Sequence, residues 1–374
     1  MALSRIDTTN MIEDVPQSKI DNNINFRNII INGDMSIAQR GVDINDVAHG
    51  GYCNDRFRFH KANTGELVMN FDQVTDVPSS QGFSNSLKLS VGTVESATAS
   101  NELVGIGQRI EAQNLQYLKY GTSSAETLTL CFWVKSSVTG TYAVLMFQQD
   151  ASSSPDRRYY SKTFTISSAN TWEKKTIQIT GNQDDTIAND NGIGLDFRII
   201  LSAGSSLTSG SSGAWGSSTN SAVGQTANFS GTSSATFFLT GIQLEAGTSA
   251  SDFEFLPVDV NKNRCLRYCF KHGGEASTQY LNAQGGYYDA NYIAFGLVSP
   301  PVPMRSAPSL TVNGTVIVHR LNTDYTGWTW GFISGVQSQS WFVSANKSSH
   351  GVTAQHSLIK CATTSDFFIY DSEL

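Results

Sequence analysis

Charge is scarce in this chain. Only 15% of its 374 residues are Asp, Glu, Lys or Arg, against about 25% in an average soluble protein. The 25 cations and 32 anions leave a formal net charge of −7. That balance argues against the basic face that nucleic-acid binding needs and against docking on anionic lipid. No apolar run approaches the roughly 18 residues that cross a bilayer, so no membrane insertion is expected. The opening MALSRIDTTNMIEDVPQ has no apolar stretch of the kind a secretory signal carries. Signatures of chemistry are missing too: no HExxH, GxSxG, GxGxxG or Walker loop occurs. The histidines, His49, His60, His272, His319, His350 and His356, are scattered. No cofactor is implied, and the expectation is a protein that is not an enzyme.

The five cysteines, Cys53, Cys131, Cys265, Cys269 and Cys361, are odd in number and contain no CxxC pair. They read as free thiols of a chain made in a reducing cytosol. Cys265 and Cys269 stand four apart, but His272 alone does not complete a zinc set, so no metal is expected there. The loop GNQDDTIANDNG (181–192) crowds Asn182, Asp184, Asp185, Asn189 and Asp190 as oxygen donors. Its spacing does not follow the calcium loop of an EF-hand, and a plain polar loop is the favoured reading. Two acidic pairs, Asp150 with Asp156 and Asp184 with Asp185, are the candidates for paired-carboxylate chemistry. Both lie among Ser, Asn and Gly, where a solvated turn is the simpler reading.

What is present is β-structure. Gly is abundant at 32, Pro is sparse at 8, and hydrophobic residues make up 39%. The length suits two or three domains. Residues 1–25 are polar and have no apolar period, which makes them an arm rather than a core. From residue 26 onward short strands follow one another: FRNIIING (26–33), DRFRFHK (55–61), LVMNFDQV (67–74), SLKLSVG (86–92) and LTLCFWVKSS (128–137). TYAVLMFQQD (141–150), YYSKTFTIS (159–167), WEKKTIQIT (172–180), IGLDFRIILS (193–202) and ATFFLTGIQLE (235–245) complete the series. Alternation with a period of two, divided by Gly, Ser and Asn, predicts an antiparallel β-sandwich. Part of 101–118 has helical spacing. The stretch 202–236 is dominated by Ser, Thr and Gly, but Trp215 at its middle and the strand after it predict a loop inside the sandwich, not a linker.

After residue 257 the pattern changes. DVNKNRCLRYCFK opens as a helical turn and ends as a strand. NYIAFGLV, SLTVNGTVIVHR, WTWGFIS, SWFVSA and DFFIYDSEL read as strands, with Asn313-Gly314 as a hairpin signal. The expected division is therefore an N-terminal attachment arm (1–25), a β-sandwich (26–257) and a smaller C-terminal β-domain (258–374). In the last, Tyr325, Trp328, Trp330 and Trp341 gather within some twenty residues, with Asn322, Gln339 and Asn346 as amide neighbours. Sugar rings stack on flat aromatic faces while amides meet their hydroxyls. Tyr325, Trp328, Trp330, Trp341 and Asn346 are thus the candidate glycan-binding residues, against the alternative that these aromatics are core.

Four stretches together resemble a family of phage tail-fibre and related virion proteins. They are NIIINGDMSIAQRG (28–41) with NDRFRF (54–59); LTLCFWVKSSVTGTY (128–142) with TWEKKTIQI (171–179); the loop around Trp215 closed by LTGIQLEAGTSASDFEF (239–255); and RCLRYCF (264–270) with PVPMRSAPSLTVNG (301–314). The resemblance covers about residues 26–315. Phe57 stands where members often have Trp, and nothing beyond about residue 315 resembles the family. It implies a jelly-roll like that of carbohydrate-binding modules, followed by a smaller β-domain. It also implies a place on the tail of a tailed phage, assembled in the host cytoplasm, as a homotrimer. No catalytic residue is carried over.

The leading expectation is a structural virion protein, a tail fibre or fibre-like appendage that binds a bacterial surface glycan for host adsorption. Its partners would be other tail proteins through residues 1–25, further copies of itself and the bacterial polysaccharide. One alternative is a tail connector joining other virion proteins. The other is a polysaccharide depolymerase, which would show a cleft with two carboxylates at catalytic separation.

Overall fold

The computed structural model describes residues 26–95, 99–149, 157–276, 278–289, 291–333, 336–348, 350 and 357–374. The arm at 1–25 and the pair Asp150 and Asp156 lie outside them. The chain divides into two compact units. The described part of the first runs from Phe26 to Ser36, through Asp43–Gly51, and over Phe57–Phe255. The second gathers Ile37–Val42, Tyr52–Arg56 and Leu256–Leu374.

The first unit is built of β1 (Asp43–Ile44), β2 (Arg58–Ala62), β3 (Val68–Val74), β4 (Ser86–Thr93), β5 (Leu103–Glu111), β6 (Leu128–Ser136), β7 (Gly140–Gln148), β8 (Arg158–Ile166), β9 (Glu173–Ile179), β10 (Ile193–Ala203), β11 (Trp215–Gly216) and β12 (Thr236–Ala246). These form two six-stranded sheets, ordered β1-β3-β4-β12-β6-β9 and β11-β8-β7-β10-β5-β2. The recorded pairings are all antiparallel, and successive strands pass repeatedly between the sheets, the organisation of a jelly-roll sandwich. The alternation read from sequence decides which side faces in. On β4, Leu87, Leu89 and Val91 are buried while Lys88 and Ser90 between them are not. Aromatic pairs bridge the sheets: Phe59 with Phe71 at 5.1 Å, Phe132 with Phe164 at 5.1 Å, and Tyr142 with Phe237 at 5.8 Å between ring centroids.

β12 lies between β4 and β6, so the Ser/Thr/Gly stretch before it is a loop of the sandwich. Trp215 holds that loop down. It pairs with Tyr160 through β11, and its indole N–H donates to the Thr180 carbonyl at 2.6 Å. Residues 112–118 after β5 form a 3₁₀ helix, the helical part expected there.

The run FRNIIING is a correction: it is not a ladder strand. The buried Asn28 amide donates to the Ile242 carbonyl and accepts from the Ile30 and Leu244 amides. Gln108 closes both backbone groups of Ile31. Side chains therefore satisfy a backbone that left-handed φ values at Asn32 (61°) and Met35 (59°) keep from pairing regularly.

The second unit opens with α1 (Val258–Leu266) and continues with β13 (Cys269–Gly273), β14 (Gln279–Asp289), β15 (Tyr292–Val298), β16 (Ser309–Asn313), β17 (Val316–Arg320), β18 (Thr323–Tyr325), β19 (Thr329–Phe332), β20 (Trp341–Asn346), β21 (Ser357–Cys361) and β22 (Phe367–Asp371). They form a three-stranded sheet, β13-β22-β16, and a seven-stranded sheet, β18-β17-β21-β14-β15-β20-β19. Asn313-Gly314 is not a hairpin, because β16 and β17 belong to different sheets. Asp366 fixes this turn instead: its carboxylate accepts from the Thr315 amide at 2.7 Å, with Gly314 at φ 67°. A tight two-residue hairpin lies at Leu321-Asn322, with φ of 45° and 61°, between paired Arg320 and Thr323.

The QRG and NDR pieces of the resemblance serve this second unit. The Arg56 guanidinium lies 3.5 Å over the Tyr268 ring and pairs with Glu373, while Arg40 pairs with Asp371 at 2.7 Å. The Gln39 backbone N–H donates to the Asp55 carboxylate at 2.9 Å, and its side-chain amide donates to the Cys269 carbonyl at 2.7 Å. Burial pushes the Asp55 carboxyl up against the pull of Arg40. These residues clamp the strand that ends the chain. All five cysteines are free and buried.

Candidate functional site

The aromatic cluster of the second unit is mostly core. Trp341, at the start of β20, is 1% exposed, with its ring 4.6 Å from Tyr370. Trp330 on β19 is half-buried and covered by Phe368 at 5.0 Å and Phe295 at 5.6 Å. Trp328 is half-buried against His350 at 5.2 Å, and its indole N–H donates to the Tyr325 carbonyl at 2.7 Å. Trp328, Trp330 and Phe332 do share a strand side, as the i, i+2 spacing requires. That side packs on the hydrophobic core with Tyr325. Burying flat aromatic surface at about 25 cal/mol per Å² outweighs leaving it free for a ligand. Trp341 is therefore withdrawn from any surface platform. Asn346 alone of the expected residues lines an open depression, with Asn291, Tyr292, Gly327, Thr329, Lys347 and Ser348. Asn322 sits in the β17–β18 hairpin and Gln339 in a separate loop, both exposed.

In the loop 181–192 three of the five oxygen donors are already engaged. Asp185 pairs with Arg158 at 2.8 Å, Asp190 accepts from the Gly192 amide, and Asn182 accepts from the Asp184 amide while donating to Gln148. Among the described residues no group of three or more His, Cys, Asp or Glu side chains is placed to hold a metal ion.

A polar assembly in the first unit lies on the outer face of the sheet β11-β8-β7-β10-β5-β2. Cross-strand register builds it in rows. Arg58, Gly107, Arg198 and Leu145 lie side by side on β2, β5, β10 and β7, and the next row holds Arg109, Asp196 and Phe147. His60 stands opposite Gly105. Directly opposed residues of antiparallel strands point to the same side, so scattered positions converge. Gly107 is required by close approach, since a Cβ there would lie 1.8 Å from the Phe197 carbonyl oxygen. A Cβ at Gly105 would likewise lie 2.8 Å from the Ile199 carbonyl oxygen, so both glycines let the β10 backbone come close to β5.

Asp196 is fully buried at the centre and accepts from Arg198 at 2.6 and 3.0 Å and from Arg109 at 3.3 Å. Arg58 reaches His60 at 3.0 Å and the exposed His49 at 3.2 Å. His49 in turn accepts from the Lys61 amide. Burial, reinforced by the Arg198, Arg58 and Arg109 guanidiniums, pushes His60 far below the ordinary histidine range. Burial and the same three guanidiniums lower His49 as well. Both imidazoles are thus held toward the neutral form, and Arg109 and Arg198 close on Asp196 with Arg58 beside them. Beside them Phe147 stacks on Tyr159 at 4.5 Å and 13°, with Arg198 5.9 Å over the Phe147 ring. Leu207 and Ala222 of the long loop pack over Leu103, Ala143, Leu145 and Ile200 and wall one flank.

Sequence reading did not single out this site, because its members lie between residues 49 and 198. The available signal was the solvent side of three strands: Arg58 and His60, Gly105, Gly107 and Arg109, then Asp196 and Arg198, where Ser or Thr is usual.

The opposite sheet carries a cavity of about 180 Å³ lined by Phe83, Trp133, Phe253, Phe255 and Lys174, among others. Its phenylalanines pack on one another at 4.8–5.1 Å, which leaves them few flat faces.

No protein-family model and no curated protein matches this chain. Among solved structures it is similar to the enzymatically active domain of tailspike protein 4 of bacteriophage CBA120, at 16% identity over 55% of this chain, with a TM-score of 0.29. The match spans 22% of that tailspike chain. It is also similar to a family 11 carbohydrate-binding module from Clostridium thermocellum in complex with a mixed-linked tetrasaccharide, at 10% identity over 56% of this chain and 99% of that one, TM-score 0.29. The CBM22-2 xylan-binding domain from Paenibacillus barcinonensis is 16% identical over 56% of this chain and 100% of that one, TM-score 0.26. The all-β, jelly-roll assignment rests on the chain's own strand order.

Proposed function

We propose that this chain is a non-enzymatic glycan-binding protein of a phage tail, and that the glycan meets the outer face of β2, β5, β10 and β7. The observation that carries this reading is the Arg58–Arg109–Arg198 cluster on β2, β5 and β10, in which Asp196 holds Arg109 and Arg198 while Arg58 meets His60 and His49. Guanidinium N–H groups and imidazoles are hydrogen-bond partners for sugar hydroxyl and acid oxygens, and half-buried side chains lose little entropy on binding. The motifs that resemble tail-fibre proteins support the virion setting, with residues 1–25 as the attachment arm and three copies per assembly. A depolymerase reading is less favoured. Hydrolysis takes a general acid and a second carboxylate, whereas Asp196 is tied to two guanidiniums.

The test is binding of bacterial surface polysaccharides to the full chain, compared with Arg58→Gln. Loss of binding with an unchanged melting temperature is expected. Undiminished binding by the variant contradicts the placement. Release of oligosaccharides from the polymer contradicts the non-enzymatic reading.

A further inference from the structure

We propose that the cavity on the opposite sheet of the sandwich is a second, separate sugar site, which takes one neutral pyranose ring. It does not depend on the arginine face.

A break in β12 makes the cavity. The register of β12 against β6 shifts between Thr240 and Gln243, and Gly241 within the break has φ 62°. A Cβ at Gly241 would lie 2.6 Å from the Phe83 ring and 3.1 Å from Trp133 Cδ1. Glycine thus lets both rings come close to the bulged backbone, and bulges commonly re-aim side chains beside binding sites. Phe83, Phe253 and Phe255 brace one another, with Phe255 50% exposed. Trp133 lines the cavity from the solvent side of β6. Among the described residues no other aromatic ring packs on it, so its flat face stays available.

Three polar groups at the cavity have no partner among the described residues. The Trp133 indole N–H donates to none, and neither the Lys174 ammonium nor the Asp252 carboxylate makes an ion pair. Nearby charges behave otherwise: Lys175 pairs with Glu173 at 2.5 Å and Lys88 with Asp72 at 2.9 Å. Lys174 stands opposite Trp133 in the β6–β9 register, which puts the ammonium and the indole on one side of the sheet.

A sugar ring matches these groups. Its C–H face packs on an aromatic ring, and its hydroxyls both donate and accept. Asp252 accepts from one hydroxyl, while Lys174 and the Trp133 N–H donate to others. Charges of both signs favour a neutral ring, since an acid would face Asp252 and an amine would face Lys174. The cavity of about 180 Å³ has room for about six water molecules, which suits one ring and not a chain. A single ring binds weakly, on the order of millimolar. The cavity therefore adds a contact to the arginine face and does not hold a polymer alone.

The experiment uses the full chain with methyl glycosides of glucose, galactose, mannose, rhamnose and N-acetylglucosamine, and with benzyl alcohol as an apolar control. NMR follows the Trp133 indole N–H signal, assigned by its loss in Trp133→Phe. At least one glycoside should shift this signal along a saturable millimolar curve. Its affinity should fall at least about fivefold in Asp252→Asn and in Lys174→Gln, at an unchanged melting temperature. Arg58→Gln should bind the glycoside as the parent chain does, which separates this site from the arginine face. No shift with any glycoside overturns the inference. An equal response to benzyl alcohol that ignores Asp252 and Lys174 also overturns it, because that marks a plain apolar cavity. A glycoside response that Arg58→Gln abolishes and the cavity variants leave intact assigns the sugar to the arginine face and overturns the second site.

Discussion

Arg56 shows what a buried charge does in this fold. Its side chain is 1% exposed, stacked on Tyr268 and paired with Glu373, which is itself 6% exposed. Removing one partner leaves the other charged and dry, so Arg56→Ala should destabilise the second unit by about 3–5 kcal/mol in denaturant unfolding. His60 makes a pH-dependent contribution of opposite chemistry. Its folded value lies far below the roughly 6.5 of an unfolded histidine, so below that pH the unfolded chain takes up a proton that the folded chain refuses. Its stability contribution is complete above about pH 6.5 and falls by up to about 1.4 kcal/mol per unit as the pH drops further. His272, lowered by burial, acts in the same direction. Denaturation between neutral and mildly acid pH should show this loss, and His60→Gln should flatten it; an unchanged slope in the variant contradicts the assignment. Neither residue was legible in sequence. A buried arginine and an exposed one are the same letter, and Arg56 and Glu373 are far apart along the chain.

At the scale of elements, sequence was most informative where one face of a strand is wet and the other dry. The sandwich strands β3, β4, β6 and β9 stand where period-two alternation placed them. In β14 and β21, by contrast, QYLNAQGGYYD and SLIKC mix glycine and polar residues, and neither was read as a strand, although each pairs along the seven-stranded sheet. The Asn313-Gly314 signal misled because turn chemistry specifies a bend, not which sheet the next strand joins. The bend that does close a hairpin carries leucine at positive φ, a conformation that costs a branched side chain about 1–2 kcal/mol. The paired change Leu321→Asn with Asn322→Gly should therefore raise the melting temperature by a few degrees. A fall would show that Leu321 makes a contact worth more than its strain. Asp366 behaves differently. Burial pushes its carboxyl up, but the Thr315 and Thr363 amides outweigh this and hold it below the usual carboxylate range. Asp366→Asn should loosen the passage between the two sheets and lower the melting temperature of the second unit.

For the whole molecule, the sequence yielded the all-β class and the presence of aromatics, but not which aromatics are buried. Three tryptophans close together read as a sugar platform, while the structure uses Trp341 and Trp330 as core. The arginine face was hidden because only cross-strand register brings Arg58, Arg109 and Arg198 together. Self-association as a trimer, proposed from the family resemblance, predicts three times the chain mass in light scattering, and a monomer at micromolar concentration contradicts it. The central claim is that the glycan site lies on the sandwich face and not on the C-terminal sheet. One measurement tests it most directly: titration of the same bacterial polysaccharide into Arg58→Gln and into a chain carrying Thr329→Ala with Asn346→Ala. The account predicts that the first loses binding and the second keeps it, both with native melting temperatures. Retained binding in the first and loss in the second would contradict it.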